Sequence, residues 1–171
     1  MFKRILKAIF CIAVGLACGY GIGTGIHYWL VQSGFILGEW KGAPVVVICE
    51  NSTLEEGRLQ IALDFWDRYG YSHAFFHKDI TKLCKDREII YGFILINDGS
   101  VPGGILAQTR RAIIGTEVVG AYIVVPNENT RLSKLIEHEL GHAFGLGHYE
   151  ETGHIMNPVL DRALPKFWIP E

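Results

Sequence analysis

The sequence predicts an α/β fold, because apolar β-branched runs alternate along the chain with segments that have an amphipathic helical period. Two of these runs, Val45–Cys49 and Ile89–Ile96, have the composition of strands that are buried on both faces. A helix with one apolar side follows the first run, and a second helix follows the last predicted strand. A strand followed directly by such a helix is a βα unit.

The first helix is expected directly after Val45–Cys49. Ser52 and Glu55 have the three-residue spacing of a capping box, and Gly70 is a suitable end for the helix. The residues between these points predict a single buried side, and its members are Leu54, Ile61, Ala62, Phe65, Trp66 and Tyr69.

The middle of the chain predicts a buried strand, a loop and an edge strand. Ile89–Ile96 closes at the turn signal Asn97–Gly99, and a second turn signal follows at Pro102–Gly104. The next short strand, Ile105–Thr109, is bordered by the Arg110–Arg111 pair, and charged neighbours are typical of an exposed sheet edge.

The last predicted strand, Val118–Val125, leads into the second helix. Asn129 or Thr130 can cap this helix, and Gly145 or Gly147 can end it, because these residue types favour those positions. The apolar side of the helix is expected to consist of Leu132, Leu135, Ile136, Leu140, Ala143 and Phe144.

A histidine cluster on the second helix predicts a metal centre. His138 and His142 are four residues apart, so both imidazoles lie on one helix face and can reach an ion about 2 Å from each nitrogen. His148 follows six residues later, and the glycines in between let the chain turn back toward the same ion. Three histidine ligands with an open fourth position describe a catalytic zinc centre, and Glu139 lies beside it.

The segment from His138 to His148 also has the form of a known family signature. With Gly145 at its central position, it matches H-E-x-x-H-x-x-G-x-x-H without exception and so resembles the metzincin zinc metallopeptidases. Met156 stands at the distance from the third histidine that is seen in the matrixins (matrix metalloproteinases), with Pro158 two residues beyond. The resemblance implies that Met156 is a structural residue of a Met-turn, packed beneath the ligands.

The resemblance to matrixins implies a metzincin-like α/β (α+β) fold. Its elements would be a twisted mixed sheet of about five strands with an antiparallel edge strand, and two long helices packed on the sheet. The basic and apolar N-terminus of the sequence predicts a membrane helix before this domain. The resemblance also assigns substrate contacts. Main-chain hydrogen bonds to an extended peptide would come from Gly104, Ile105, Leu106 and Ala107. Asn157 and Pro158 would form the wall of the adjacent pocket for a substrate side chain.

The expected activity is that of a zinc endopeptidase. One catalytic zinc would polarise the scissile carbonyl and lower the pKa of its bound water, with Glu139 as the general base. The substrate would be a peptide or protein. Calcium binding is possible, but no motif in the sequence supports it. Two alternatives stay open, namely a membrane-tethered zinc-containing module that binds peptides without cutting them, and an amide hydrolase for a nonpeptide or cell-wall substrate.

Several features depart from the matrixin pattern. Gln108 stands where matrixins have a histidine ligand of a structural zinc, so a second zinc is not expected. His73, His77 and His154 are interpreted as ordinary residues. The cysteine-switch propeptide is missing, and the connector at 32–42 is too short to contain one. Either latency is absent, or an external inhibitor or activator controls the enzyme.

The N-terminal segment, 1–31, is predicted to interact with a membrane. Lys3, Arg4 and Lys7 precede the uncharged run Ala8–Ile26, which is about long enough to span a bilayer. Basic residues on this side predict that the domain lies on the non-cytoplasmic side, either held by a single-pass anchor or secreted or periplasmic after cleavage of a signal peptide. A connector, 32–43, and a catalytic domain, 44–171, would follow.

The charge of the chain bears on nucleic-acid binding, and its cysteines bear on a possible disulfide. The 16 basic and 18 acidic residues are scattered and give a net charge of -2, which excludes the electrostatic footprint of a nucleic-acid-binding protein. Cys49 and Cys84 lie outside the membrane segment, and in an oxidising compartment they could form a disulfide. Two buried free thiols fit the sequence equally, because pairing depends on geometry.

Overall fold

The computed structural model describes residues 34–50, 52–74, 76–78, 83–84 and 88–170, so the predicted membrane segment at 1–31 lies outside the described residues. The chain divides into two compact units, Met1–Ile36 and Leu37–Glu171. The second unit contains all the strands and helices named below. Within the described ranges, no helix has the length and apolar character needed to cross a bilayer.

A mixed sheet of five strands forms the framework of the second unit. The strands are β1 (Val45–Ile48), β2 (Phe76–Lys78), β3 (Phe93–Asp98), β4 (Gln108–Ile114) and β5 (Glu117–Val125). Their order is β2-β1-β3-β5-β4, and all neighbours are parallel except β4, which runs antiparallel to β5 at one edge. The predicted α/β class, the sheet of about five strands and its antiparallel edge strand are confirmed.

Two strands begin later than predicted. β3 begins at Phe93 and not at Ile89, because Gly92 adopts a φ of 85° and turns the chain before the strand. β4 begins at Gln108 and not at Ile105, since Gly104 also has a φ of 85° and the residues after it form a loop. β4 then extends beyond the predicted end at Thr109, because it forms a hairpin with β5.

The first helix, α1 (Glu56–Asp67), lacks the predicted capping box. The Ser52 hydroxyl donates to Asp98 Oδ1 at 2.6 Å, and no side chain caps the first turn of the helix. The predicted buried side is also partly wrong, because Ile61 is 62% exposed and Tyr69 is 41% exposed. The buried residues of the helix are Leu59, Ala62, Leu63, Phe65 and Trp66.

The second helix, α2 (Leu135–Ala143), is shorter than predicted. It does not begin after Asn129 or Thr130, because a separate 3-10 turn occupies Asn127–Asn129. Lys134 has a left-handed φ of 71° and stands directly before the helix. Its Nζ donates to two main-chain carbonyls of the segment Leu160–Ala163, which ties the start of the helix to the C-terminal part of the chain.

Polar contacts with α1 hold α2 in place. The Arg58 guanidinium donates to both carboxylate oxygens of Glu137, at 2.9 and 2.5 Å. The indole nitrogen of Trp66 donates to the Glu137 carbonyl at 2.7 Å. Since α2 also contacts β4 and β5, its position relative to the edge of the sheet is fixed from two sides.

The second unit begins within the stretch that was predicted to be a connector. The Leu37 amide donates to the Gly145 carbonyl at 2.7 Å. Glu39 forms an isolated bridge with Glu117 at the start of β5, and the Trp40 indole nitrogen donates to the Ala143 carbonyl at 2.9 Å. Residues from Leu37 onward therefore belong to the folded domain.

Cys49, which follows β1, forms a disulfide with Cys84. Both cysteines are buried in an apolar cluster that also contains Val47, Leu95 and Tyr122. Of the two states that the sequence allowed, the structure contains the paired one.

We expect reduction of this disulfide to lower the free energy of unfolding by about 3 kcal/mol, because a crosslink restricts the unfolded chain. The crosslink joins residues 35 positions apart. Urea unfolding with and without reductant measures the effect. The Cys49→Ala/Cys84→Ala variant should match the reduced protein and should not respond to reductant; a wild-type midpoint that reductant leaves unchanged would contradict the prediction.

Candidate active site

Three histidines converge at α2. His138 and His142 belong to the helix, and His148 returns toward them after Gly145, which turns the chain at a φ of 105°. One nitrogen from each ring lies within 4.8 Å of the other two. The structure therefore brings the three predicted metal ligands together, and of the two glycines that could end the helix, Gly145 makes the left-handed turn.

Main-chain carbonyls orient two of these rings. Nδ1 of His138 donates to the Ile155 carbonyl at 2.8 Å, and Nδ1 of His142 donates to the Leu146 carbonyl at 2.9 Å. Because a carbonyl oxygen can only accept, a neutral ring bonded in this way carries its lone pair on Nε2. Nε2 of His142 is 3.2 Å from Nε2 of His148, close to the separation of about 3.3 Å that tetrahedral zinc sets between two nitrogens. The donor set fits zinc.

The protein environment favours the neutral form of each histidine. Burial lowers the pKa of His138 to about 4, and burial followed by the proximity of His138 lowers the pKa of His142 to about 3. Burial, and then the nearby Arg111 guanidinium, lowers the pKa of His148. A neutral imidazole is the form that binds a metal ion, so the three rings are ready to bind one at neutral pH.

Glu139 follows the first of these histidines on α2 and is buried, with 5% of its surface exposed. The Thr109 hydroxyl on β4 donates to Glu139 Oε2 at 2.5 Å. Burial raises the pKa of the Glu139 carboxyl to about 7, and the hydrogen bond from Thr109 opposes part of that shift. A carboxyl whose pKa lies near the working pH is suited to accept a proton and release it again.

These groups line one cavity of about 440 Å³. Leu135 and Leu160 add apolar surface to it. A cavity that combines an ion site, a carboxyl group and apolar walls has the features of a substrate cleft. The residues that the matrixin resemblance assigned to substrate line the same cavity, and they are Gly104, Ile105, Leu106, Ala107, Asn157 and Pro158.

Two of these predicted substrate residues, Leu106 and Asn157, already form hydrogen bonds within the protein. The Asn129 side chain donates to the Leu106 carbonyl at 2.8 Å, so one predicted acceptor for a peptide already has a donor. The Asn157 side chain donates to the Glu150 carbonyl at 2.8 Å and accepts from the Val159 amide at 2.9 Å. Asn157 therefore shapes the cavity wall by holding its neighbours.

Met156 packs against α2 at Gly141, which lies between the two helical histidines in the sequence. It is fully buried, and a Cβ added at Gly141 would lie 2.3 Å from its Sδ and 2.6 Å from Cζ2 of Trp66. Glycine is thus the residue that this close packing requires. The turn also orients a ligand directly, because the carbonyl that holds His138 belongs to Ile155, the residue before Met156.

A second side chain of β4 reaches the site. Arg111 donates to the His142 carbonyl at 2.8 Å and to the Leu146 carbonyl at 3.2 Å, the same carbonyl that orients the His142 ring. The sequence pattern alone assigned no role in the site to Thr109 or Arg111. The two-residue period of a strand, which places both on one face, is the signal that could have found them.

The histidines that were interpreted as ordinary lie outside the cluster. Neither His73 nor His77 is part of the three-histidine group. His154 is fully buried, its Nδ1 accepts from the Met156 amide at 3.0 Å, and its Nε2 donates to the Trp168 carbonyl at 2.9 Å. His154 therefore joins the turn at Met156 to the C-terminal segment.

The comparison with known families agrees with this geometry. The matrixin model of peptidase family M10 matches residues 48–170, a range that contains every residue of the site described above. The chain belongs to the matrixin family. No curated protein shows significant sequence similarity to this matrixin. Membership confirms the resemblance that the histidine signature predicted, and it implies zinc and a metallopeptidase activity for a domain whose donor set fits that ion.

Proposed function

We propose that this matrixin is an endopeptidase that uses one zinc ion and Glu139 as the general base. The observation that carries the proposal is the arrangement of a buried carboxyl group and three convergent histidines along one cavity. A metal site without such a carboxyl would bind an ion but would have no base for hydrolysis. The same cavity is lined by the residues that would contact a peptide.

In this proposal His138, His142 and His148 hold the ion. The first two would bind it through Nε2, since their Nδ1 atoms donate to main-chain carbonyls. Zinc bound there would polarise the scissile carbonyl and acidify a water molecule. The carbonyls of Ile155 and Leu146 keep the rings in the orientation and tautomer that binding needs.

Glu139 would move the proton. A water molecule gives a proton to the carboxylate of Glu139 and adds to the peptide carbonyl carbon. The carboxyl group then returns this proton to the amide nitrogen, the C–N bond breaks, and a carboxylic acid and an amine are released. General acid–base catalysis of this kind contributes about 10²–10⁴-fold to a rate.

The substrate would be an extended peptide that passes through the cavity beside Gly104–Ala107, with one side chain against Asn157 and Pro158. Ile105 and Leu106 are 45% and 40% exposed. Exposed apolar side chains at the mouth of a cavity favour a substrate with apolar residues next to the cleaved bond.

The test is a digest of a diverse peptide library by the full-length chain in detergent, with products identified by mass spectrometry. Cleavage should stop when a chelator removes the metal and should return when zinc is added. A protein that binds one equivalent of zinc and cuts no peptide would overturn the proposal. Peptide binding without cleavage would then indicate a binding module, and hydrolysis of other amides would indicate a nonpeptide substrate.

We also propose that the segment at 1–31 places the domain on the non-cytoplasmic side of a membrane. The disulfide between Cys49 and Cys84 supports this location, because disulfides persist in oxidising compartments. Cell fractionation combined with the intact mass of the mature protein distinguishes a retained anchor from a cleaved signal peptide. Full-length protein in the cytosol with both thiols free would contradict the proposal.

A further inference from the structure

The face of β4 that is turned toward α2 carries a hydroxyl group next to the general base. Thr109 Oγ1 lies 2.5 Å from Oε2 of Glu139 and 3.2 Å from the main-chain oxygen of the same residue. A hydroxyl has a single proton to donate, and the shorter contact, to the carboxylate, takes it. The length is that of a charge-assisted hydrogen bond, which is stronger than a bond between neutral groups.

This hydrogen bond restricts a side chain that would otherwise rotate. A glutamate has three side-chain torsions, so its carboxylate can occupy many positions even when its Cα is fixed. With Oε2 held by Thr109, the orientation of the carboxylate plane is limited and Oε1 is left for chemistry. Catalytic groups need to be held within about 0.5 Å of the productive geometry.

The hydroxyl is itself held firmly. Thr109 lies opposite Ile123 in the antiparallel pairing of β4 with β5. Two residues further along β4, Arg111 donates to the carbonyls of His142 and Leu146. β4 and the metal-binding segment are therefore joined at two points, and Thr109 keeps a fixed distance from the helix that carries Glu139.

From this geometry we propose that Thr109 is a positioning residue that holds the Glu139 carboxylate during catalysis. The inference rests on the proposed function, since it requires Glu139 to act as the base. The hydroxyl can serve Glu139 both before and after it takes up a proton. While Oε1 carries the proton taken from water, Oε2 stays unprotonated and can continue to accept from Oγ1.

The test compares three variants by kcat and KM on one peptide substrate and by bound zinc. Thr109→Val keeps the shape and the β-branching but loses the hydroxyl, and we expect it to lower kcat about 10- to 100-fold with KM and zinc content unchanged. Thr109→Ser keeps the hydroxyl and should stay within about threefold of the wild type. Thr130→Val removes a hydroxyl that donates to the Asn127 carbonyl and does not line the cavity, so it should leave kcat unchanged.

A double variant separates this inference from the proposed function. In the Glu139→Ala background, Thr109→Val should cause no further loss, because the group that it positions is gone. A Thr109→Val enzyme with wild-type kcat would overturn the inference while leaving the proposed function intact. An equal loss in Thr109→Ser and Thr109→Val would also overturn it, by showing that packing matters and the hydroxyl does not. Full activity in Glu139→Ala would remove the proposed function and the inference together.

Discussion

Replacing Glu139 with alanine is expected to lower kcat about 10³-fold, the contribution typical of a general base, while the protein still binds one equivalent of zinc. The three histidines and the carbonyls that orient them are unchanged in this variant, so the metal site keeps its donors. What is lost is the only group lining the cavity, among the described residues, that carries a carboxylate. Steady-state kinetics and metal analysis of the purified protein measure the two quantities.

The matched control for this variant is Glu137→Gln. Glu137 lies on the same helix, two residues away, but its carboxylate pairs with Arg58. It does not line the cavity. We expect the control to lower stability by about 3 kcal/mol, because the partly buried Arg58 loses the opposite charge of the carboxylate, and to leave the kcat of the folded enzyme unchanged. A Glu139→Ala enzyme that cleaves peptides as fast as the control would exclude Glu139 as the base.

Gly145→Ala is expected to weaken the metal site strongly although it leaves all three histidines in place. An added Cβ would lie 2.0 Å from the Gly38 carbonyl oxygen and 2.9 Å from the Gly38 carbonyl carbon. Both atoms belong to the backbone, so no side-chain rotation can relieve the contact. Gly145 also has a φ of 105°, which side chains rarely adopt. We expect a loss of about 4 kcal/mol or more in stability.

Gly145→Ala should also lower the affinity for zinc, because the turn at this glycine brings His148 back to His138 and His142. Competition with a chromophoric chelator should show zinc affinity reduced by about 100-fold or more. Gly115→Ala is the matched control. Gly115 has a φ of 65° but open space around it, so it should cost only about 1–2 kcal/mol and leave zinc affinity unchanged. Equal effects in the two variants would show that the contact with Gly38 is unimportant.

The two helical histidines of the candidate metal site could be predicted from sequence because their relative position depends on local geometry. A four-residue spacing places His138 and His142 on one helix face whatever surrounds the helix. The start of the same helix could not be predicted in this way. Lys134 adopts its left-handed conformation where its side chain donates to the carbonyls of Leu160 and Ala163, which lie 26 and 29 residues away in the chain. A local pattern does not contain such contacts.

The first helix shows the same limit. The spacing of a capping box begins at Ser52, but the hydroxyl of this residue donates to Asp98, 46 residues away, and accepts from the Leu54 amide before the helix begins, so no side chain caps the first turn. The helical period predicted a buried side that included Ile61, whereas Leu59 and Leu63 are buried and Ile61 is exposed. The period of a sequence gives the width of an apolar face, but the neighbouring elements set its exact centre.

The hydrogen bonds from Leu37 and Trp40 to the turn at Gly145 affect how the domain should be isolated. A segment that keeps these hydrogen bonds must begin before residue 44, the predicted start of the catalytic domain. A truncation at residue 44 would keep all three histidines, yet it would remove the amide that binds the Gly145 carbonyl and the indole that binds the Ala143 carbonyl. An expression boundary at or before Leu37 retains both. The residues that precede the first strand therefore also support the turn that carries the third histidine of the metal site.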